Sequence, residues 1–402
     1  MSGYPGIPVI IYHSIADPHD HPWGFLSLPV AVFERQLAYL KRQGFHTVTL
    51  YELSAYLRDA QRLPPKSVII TFDDGFLDNW VHAFPLLKKY GMRATVFVAT
   101  DFINSADCRR PNLEDVWAGR TTKHELQWWG YLAWSELKAM CASGFIDVQS
   151  HSRSHTWHFT SDRIVDFHHP QDPYVWLAWN ARPEKKPDWL AEEFREHVPW
   201  GVPVYGFEQA LLKRRYYEDV CLSRVLADFV QANGGKKYFE RLNWRDALHE
   251  VASAYRARHG SQAYYESEDE YLQRVKGELE SSKRIIEEKL GKAVDFFCWP
   301  GGDFTQTLHR LAIEQCGYLA TVTTRKRPNR FGDDLTKIDR TYFGQSYRGP
   351  FRDLLLFLNF CATVSHQSGI PIVHWVLPLL GNRLMRVLNR MGNRGRRQKP
   401  AP

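Results

Sequence analysis

Ser67-Val68-Ile69-Ile70-Thr71-Phe72-Asp73-Asp74-Gly75 sets a β-branched and aromatic run, Val68 to Phe72, directly before two adjacent carboxylates and a glycine. Pro64-Pro65 punctuates its start, so the run reads as a buried strand that ends in a turn. The same rhythm extends in both directions. Upstream, Ile7–Tyr12 reads as a strand, and Phe33, Leu37 and Leu40 share one face of a helix that Gly44 ends. Phe45–Leu50 is the next predicted strand, followed by a helix through Leu57. Downstream come a helix ending near Gly91, a strand at Ala94–Ala99, a helix over Trp134–Ser143 stopped by Gly144, and a strand at Phe145–Ser150. Repeated strand-helix alternation predicts a parallel α/β sheet or barrel.

That alternation lapses between Trp157 and Tyr265, where charge and aromatics (Trp176, Trp179, Trp189, Trp200, Trp244) carry irregular helical patterns. Residues 157–266 are therefore expected to form an inserted, mainly helical subdomain between barrel parts at 1–156 and 267–348. The rhythm resumes at Ser267, which forms a capping box with Glu270. Leu272, Val275, Leu279, Ile286 and Leu290 line one face of that helix, and Gly291 closes it. A strand at Val294–Cys298, a helix around Leu308–Gln315 and strands at Tyr318–Thr323 and Lys337–Phe343 follow.

Composition bounds the function. The 402 residues are 44% hydrophobic and 24% charged, which excludes a disordered chain, a collagen-like chain and a disulfide-stapled miniprotein. Lys and Arg number 52 against 45 Asp and Glu. From Arg383 onward there are seven basic residues and no acidic one, so the remaining chain is balanced and the excess is a property of the tail. No Cys-x-x-Cys motif occurs among the six cysteines, and the N-terminal residues show no secretory pattern. Both features predict a cytoplasmic location. With a neutral body and no recognised motif, no nucleic-acid partner is expected.

Three signals carry chemistry, each at the C-terminal end of a predicted strand, where an α/β barrel places its site. At Asp73-Asp74-Gly75, neighbouring carboxylates point apart, so one can hold a cation while the other handles a proton. In His151-Ser152-Arg153-Ser154-His155, two imidazoles four residues apart can face one metal, with Asp74 as an oxygen ligand. Three protein ligands leave an open position, the layout of a catalytic centre. At Cys298-Trp299-Pro300-Gly301-Gly302, glycine and proline allow a backbone N–H to approach a ligand. A Cys298 nucleophile is the competing reading, with no partner base marked in the sequence.

Taken in order, Ile70–Gly75, Ser150–His155 and Phe297–Gly302 resemble the polysaccharide deacetylase family (carbohydrate esterase family four). Val9-Ile10-Ile11-Tyr12-His13-Ser14, Phe33-Glu34-Arg35-Gln36-Leu37 and Gly44-Phe45-His46-Thr47-Val48 are similar to the branch acting on poly-N-acetylglucosamine. The likeness covers about residues 7–155 and 267–343. It implies a distorted (β/α)7 barrel and a divalent metal, zinc with nickel or cobalt as alternatives, on Asp74, His151 and His155. It further implies Asp73 as base, His13 as acid, the Gly301 N–H at the oxyanion, and Trp299, Pro300 and Arg340 on the substrate side. Many members carry an Arg ahead of the motif proline and an aromatic after it; here Cys298-Trp299-Pro300-Gly301 stands in that place. The implied activity is metal-dependent hydrolysis of an N-acetyl (N-acyl) amide on an amino sugar, in a glycan or lipid-linked glycan. A catalytically inactive glycan-binding barrel is the alternative.

Residues 349–402 fall outside the likeness. No charged residue occurs from Leu354 to Asn382, and the polar run at Ser365–Gly369 divides two apolar segments, Leu354–Val364 and Ile370–Leu380. Leu384, Val387, Leu388 and Met391 then alternate with arginines. This join predicts peripheral binding to an anionic membrane surface, on the inner face of the cytoplasmic membrane.

Overall fold

The computed structural model describes residues 6–17, 24–59, 61–190, 194–343 and 349–370. Its strands, in chain order, are β1 (Val9–Tyr12), β2 (His46–Thr47), β3 (Ser67–Phe72), β4 (Ala94–Val98), β5 (Ile146–Ser150), β6 (Trp157–Phe167), β7 (Pro203–Gln209), β8 (Tyr216–Tyr217), β9 (Tyr264–Tyr265), β10 (Phe296–Cys298), β11 (Ala320–Val322), β12 (Lys337–Ile338) and β13 (Thr341–Tyr342). The main sheet runs β12-β11-β10-β5-β4-β3-β1-β13, every pair parallel, and β2 joins the first residues of β3. Its two edges, β12 and β13, are separated in the chain only by Asp339 and Arg340. The sheet therefore curls until its edges share one broken strand. Counting that strand once and leaving β2 aside, the ring is that of a distorted (β/α)7 barrel.

Alternation along each strand explains the continuous apolar runs. Val9, Ile69, Phe97, Phe296 and Val322 pack inside the ring, while Ile10, Ile70, Val96, Val148 and Phe297 meet the surrounding helices. A parallel sheet covered on both faces has this pattern. The helix Val30–Arg42 contributes Phe33, Leu37 and Leu40 to the outer layer, and Glu268–Leu290 contributes Val275, Leu279 and Ile286. The Ser267–Glu270 capping box forms, and Gly291 ends that helix at φ 66°, a left-handed conformation open to glycine. Leu272, expected on the buried face, is only half-buried, and Tyr271 takes the inward position. The Phe45–Leu50 prediction shortens to two strand residues, because Leu50 already begins the helix Leu50–Asp59.

Residues 157–266 contain the helices Val175–Ala181, Val220–Ala232 and Trp244–His259, and also an antiparallel ribbon of β6 with β7 that the helical expectation missed. The ribbon starts directly after His155, pairing Trp157 with Gln209, and stands over the carboxyl ends of the barrel strands.

Leu354–Val364 does not stay free for a membrane. It lies within the helix Arg352–Gln367, which packs on Val30–Arg42 and buries Leu356, Phe360 and Val364 in the barrel core. Tyr39 Oη meets Ser365 Oγ at 2.7 Å, and the Arg35 guanidinium lies 4.6 Å from the Phe357 ring centre. Among the described residues no helix is long and apolar enough to cross a membrane. Beyond Ile370, the rest of the second apolar segment and the arginine run lie outside the described residues.

Buried Asp78 ties the end of β1 to the turn after β3. It accepts hydrogen bonds from Ser14 Oγ (2.6 Å), the Ile15 N–H (2.9 Å) and Asn79 Nδ2 (2.8 Å). Burial pushes its carboxyl up to about 7 against the pull of these donors. A carboxyl raised in the folded state adds stability below its unfolded value near 4 and loses it as pH rises through about 7. Asp78→Asn keeps a neutral, isosteric group there. Chemical denaturation is expected to show wild-type stability falling between pH 4 and 7, by up to about 4 kcal/mol, and a flatter profile in the variant.

Candidate metal centre and active site

His13 follows β1, Asp73 and Asp74 follow β3, His151 follows β5 and Trp299 follows β10, so the three motifs converge on one barrel mouth. Asp74 Oδ1 lies 3.3 Å from His151 Nε2 and 3.4 Å from His155 Nε2. The donor atoms of these three residues all fall within 4.8 Å of one another. His151 Nδ1 is 2.9 Å from the Cys298 carbonyl oxygen. That contact sets Nδ1 as the donor to the carbonyl and turns Nε2 toward Asp74. Burial opposes a charge on the ring, yet Cys298 and the two aspartates hold His151 well above its ordinary value, and a cation bound at Nε2 would take the place of that proton. Burial pushes His155 down to about 4 despite the Asp74 charge, which keeps its ring neutral. Burial opposes ionisation of Asp74, yet the His151 hydrogen bond and the neighbouring imidazoles hold its carboxyl well below the usual range. One carboxylate oxygen and two imidazole nitrogens at this spacing fit a small divalent cation.

Backbone geometry at the centre is strained. Asp74 (φ 72°), Ser152 (φ 71°) and His155 (φ 38°) all adopt the left-handed region without being glycine. Outside contacts hold the histidine loop in place. Ser282 Oγ donates to the Ser152 carbonyl (3.0 Å), the Ser154 N–H donates to Glu278 Oε2 (2.9 Å), and Lys186 Nζ donates to the Ser154 carbonyl (2.7 Å). Thus the long helix Glu268–Leu290 and the insertion both clamp the segment between the two histidines.

Asp73 has a different partner. Arg340, only 1% exposed at the seam between β12 and β13, grips it with both arms: Nη1 to Oδ1 at 2.7 Å and Nη2 to Oδ2 at 2.9 Å. Burial raises the Asp73 carboxyl, but the guanidinium charge outweighs it and holds the group below its ordinary value. Nη2 also reaches Cys298 Sγ at 2.9 Å, and Nη1 reaches Thr71 Oγ1 at 3.2 Å. Arg340 also lines the cavity, on the side expected for substrate, with its fork occupied by Asp73. It also fills the second possible donor set, Asp73, His151 and Cys298, with a cation already in place. Burial pushes the Cys298 thiol up, away from the thiolate a nucleophile requires.

His13 is half-buried beside Tyr342, with ring centres 5.6 Å apart, and its Nδ1 is a buried atom without a hydrogen-bond partner. Gly301 lies exposed at the mouth with φ 71°, a conformation that glycine permits. Pro300 is buried beneath it. Trp299 reaches the cavity but is 1% exposed, stacked on Phe304 and edge-on to Phe297, so it is mostly wall structure. Sequence reasoning missed the Cys298 carbonyl and Lys186 as supports of the histidine loop, whereas a cover over the mouth was expected from the insertion, which leaves the chain directly after His155.

The curled parallel barrel thus carries an Asp-His-His cluster at its mouth, with an adjacent carboxylate held by arginine. Residues 60–178 match the family model for polysaccharide deacetylase. A Bacillus subtilis (strain 168) protein, YxkH, whose name places it among polysaccharide deacetylases, is 32% identical over 149 residues, covering 37% of this chain and 43% of the relative. The poly-beta-1,6-N-acetyl-D-glucosamine N-deacetylase of Staphylococcus epidermidis is 31% identical over 120 residues, covering 30% of this chain and 35% of the relative. The chain thus spans less than half the length of either. A solved de-N-acetylase from Aggregatibacter actinomycetemcomitans shares the fold at a TM-score of 0.51 and 16% identity, over 83% of this chain and 94% of that one.

Proposed function

We propose that the protein hydrolyses the N-acyl amide of an amino sugar within a glycan, using one divalent ion held by Asp74, His151 and His155. The observation that carries this reading is the pairing of a compact three-ligand centre with a neighbouring carboxylate locked by Arg340. The nitrogen-rich donor set favours zinc, with nickel and cobalt as alternatives. Such an ion supplies Lewis-acid polarisation of the amide oxygen and acidifies the attacking water. Asp73 takes the water proton; held below its ordinary value, it is ionised and ready at neutral pH. The Gly301 N–H faces the developing oxyanion. His13 protonates the departing nitrogen, because an amide nitrogen does not leave as an anion. A complete base and ligand set argues against an inactive glycan-binding barrel.

The test is release of free amine and carboxylate, in equal amounts, from N-acetylated glucosamine oligomers by zinc-loaded protein. His13→Ala is expected to keep the metal and the fold while lowering kcat by about 10²- to 10⁴-fold, with little change in KM. A core role for His13 would instead appear as lost stability with normal turnover in the folded fraction.

We place the protein in the cytoplasm, with the arginine run after residue 382 on the inner face of the membrane. Seven basic residues without an acidic one support that placement. Truncation after Ile370 spares the packed helix Arg352–Gln367. It is expected to abolish sedimentation with anionic vesicles at low salt while metal content stays unchanged.

A further inference from the structure

The mouth opens into a cavity of about 810 Å³, near the upper end of the range for small-molecule sites and roomier than a single acetylated pyranose requires. Its two sides differ. Around His13 stand Leu26 and Tyr342, with Phe25 hydrogen-bonded to Tyr342, while Thr324 lies against Gly302 and exposed Lys326 also lines the cavity. The insertion side is aromatic: Phe102, Trp157, Tyr174, Trp176, Trp179 and Phe207. These rings brace one another, with centres 5.1 Å apart for Phe102–Trp179, 6.0 Å for Trp157–Trp179, 5.1 Å for Trp176–Phe207 and 5.6 Å for Tyr174–Phe207. The wall also touches the metal centre, with the Trp157 ring centre 6.1 Å from that of His155.

Sheet order fixes how a substrate lies across this mouth. His13 follows β1, whereas the aromatic wall grows from the chain after β5, and β3 and β4 intervene. The two therefore face each other across the barrel. In the proposed hydrolysis, the amide carbon carries four groups as it turns tetrahedral. Its former carbonyl oxygen and the added hydroxyl lie toward the ligand centre, Gly301 and Asp73. The nitrogen, with its sugar, must lie toward His13. The remaining substituent, the acyl carbon, is then directed at the aromatic wall.

We propose that this wall is an acyl-chain pocket and that the preferred substrate is an amino sugar bearing an N-acyl group longer than acetyl. The proposal rests on the amide-hydrolase reading and specifies its acyl group. The step balances as amide plus water to free amine plus carboxylate: the C–N bond breaks, a C–O bond forms, and no oxidant or co-reactant is needed. A sugar stacked on this wall would cover the rings with its C–H face only and turn its hydroxyls to the open mouth, whereas a methylene chain can contact the rings along its whole length.

The experiment compares zinc-loaded protein on glucosamine N-acylated with acetyl, butanoyl, hexanoyl and octanoyl groups, and on octyl N-acetylglucosaminide. Free amine is measured throughout. We expect kcat/KM to climb with acyl length, with a ceiling of about fourfold per buried methylene, and to gain at least about tenfold by hexanoyl. Phe207→Asn and Val175→Asn alter half-buried positions on the wall, and both are expected to flatten that climb while metal content stays at the wild-type level. Calorimetry with the Asp73→Asn protein is expected to show tighter binding of N-octanoylglucosamine than of N-acetylglucosamine. Acetyl as the best group, with rates falling as the chain grows, overturns the acyl pocket and leaves amide hydrolysis standing. A gain for the octyl glycoside but not for N-octanoylglucosamine also overturns it, because the wall would then hold the other end of the substrate. Failure of every amide with full metal content removes both readings.

Discussion

Asp74→Ala, His151→Ala and His155→Ala should each purify with almost no bound metal and no measurable amine release. In the proposed centre three ligands hold one small ion, and losing any one leaves two donors and an extra open position. The protein part of the centre is prepared in advance: the His151 ring is oriented by the Cys298 carbonyl, and the histidine loop is clamped by Ser282, Glu278 and Lys186. An alanine therefore removes a donor without loosening the scaffold that positions the others. Elemental analysis after dialysis against trace zinc reads the outcome directly. Full metal content in any of the three would reassign that ligand.

The second large effect is expected at the barrel seam. Arg340→Met leaves the Asp73 carboxylate buried without its cation, a loss of about 3–5 kcal/mol for a broken buried pair. Asp73 would answer by binding a proton, so the remaining folded enzyme would lack its ionised base and kcat would fall with it. Asp73→Asn keeps the three ligands and the bound ion while removing the base, and should lower kcat by about 10²- to 10⁴-fold. The double variant is expected to be more stable than Arg340→Met alone, since the unpaired charge is gone. Denaturation of all four proteins gives the coupling energy. Additive single effects would show that the fork between Arg340 and Asp73 contributes little.

Much of the barrel was legible because its punctuation is local. Gly44, Gly91, Gly144 and Gly291 each take the left-handed conformation predicted at or just beyond a helix end, and β3 occupies the run Ser67–Phe72. The clustering of Asp74, His151 and His155 was legible for the same reason, each lying within a few residues of a strand end. What stayed hidden depends on distant partners. β6 pairs with a strand more than thirty residues away and in irregular register, so its alternation is blurred. Arg340 sits beside Asp73 only because the two sheet edges meet at Asp339-Arg340, a closure that no short window reveals. The same closure sets its guanidinium against Cys298 Sγ. Charge-free Leu354–Val364 matched a membrane surface as well as a core helix, and burial of Leu356, Phe360 and Val364 in the barrel core decided between them.

The most direct test follows amine release from an N-acylated glucosamine by the purified protein before chelation, after removal of the metal, and after adding back one equivalent of zinc. The account predicts turnover with equal amine and carboxylate, its loss with the metal, its return with zinc, and no return in Asp74→Ala. Turnover that persists in fully metal-free protein, or that zinc restores equally in Asp74→Ala, would contradict it.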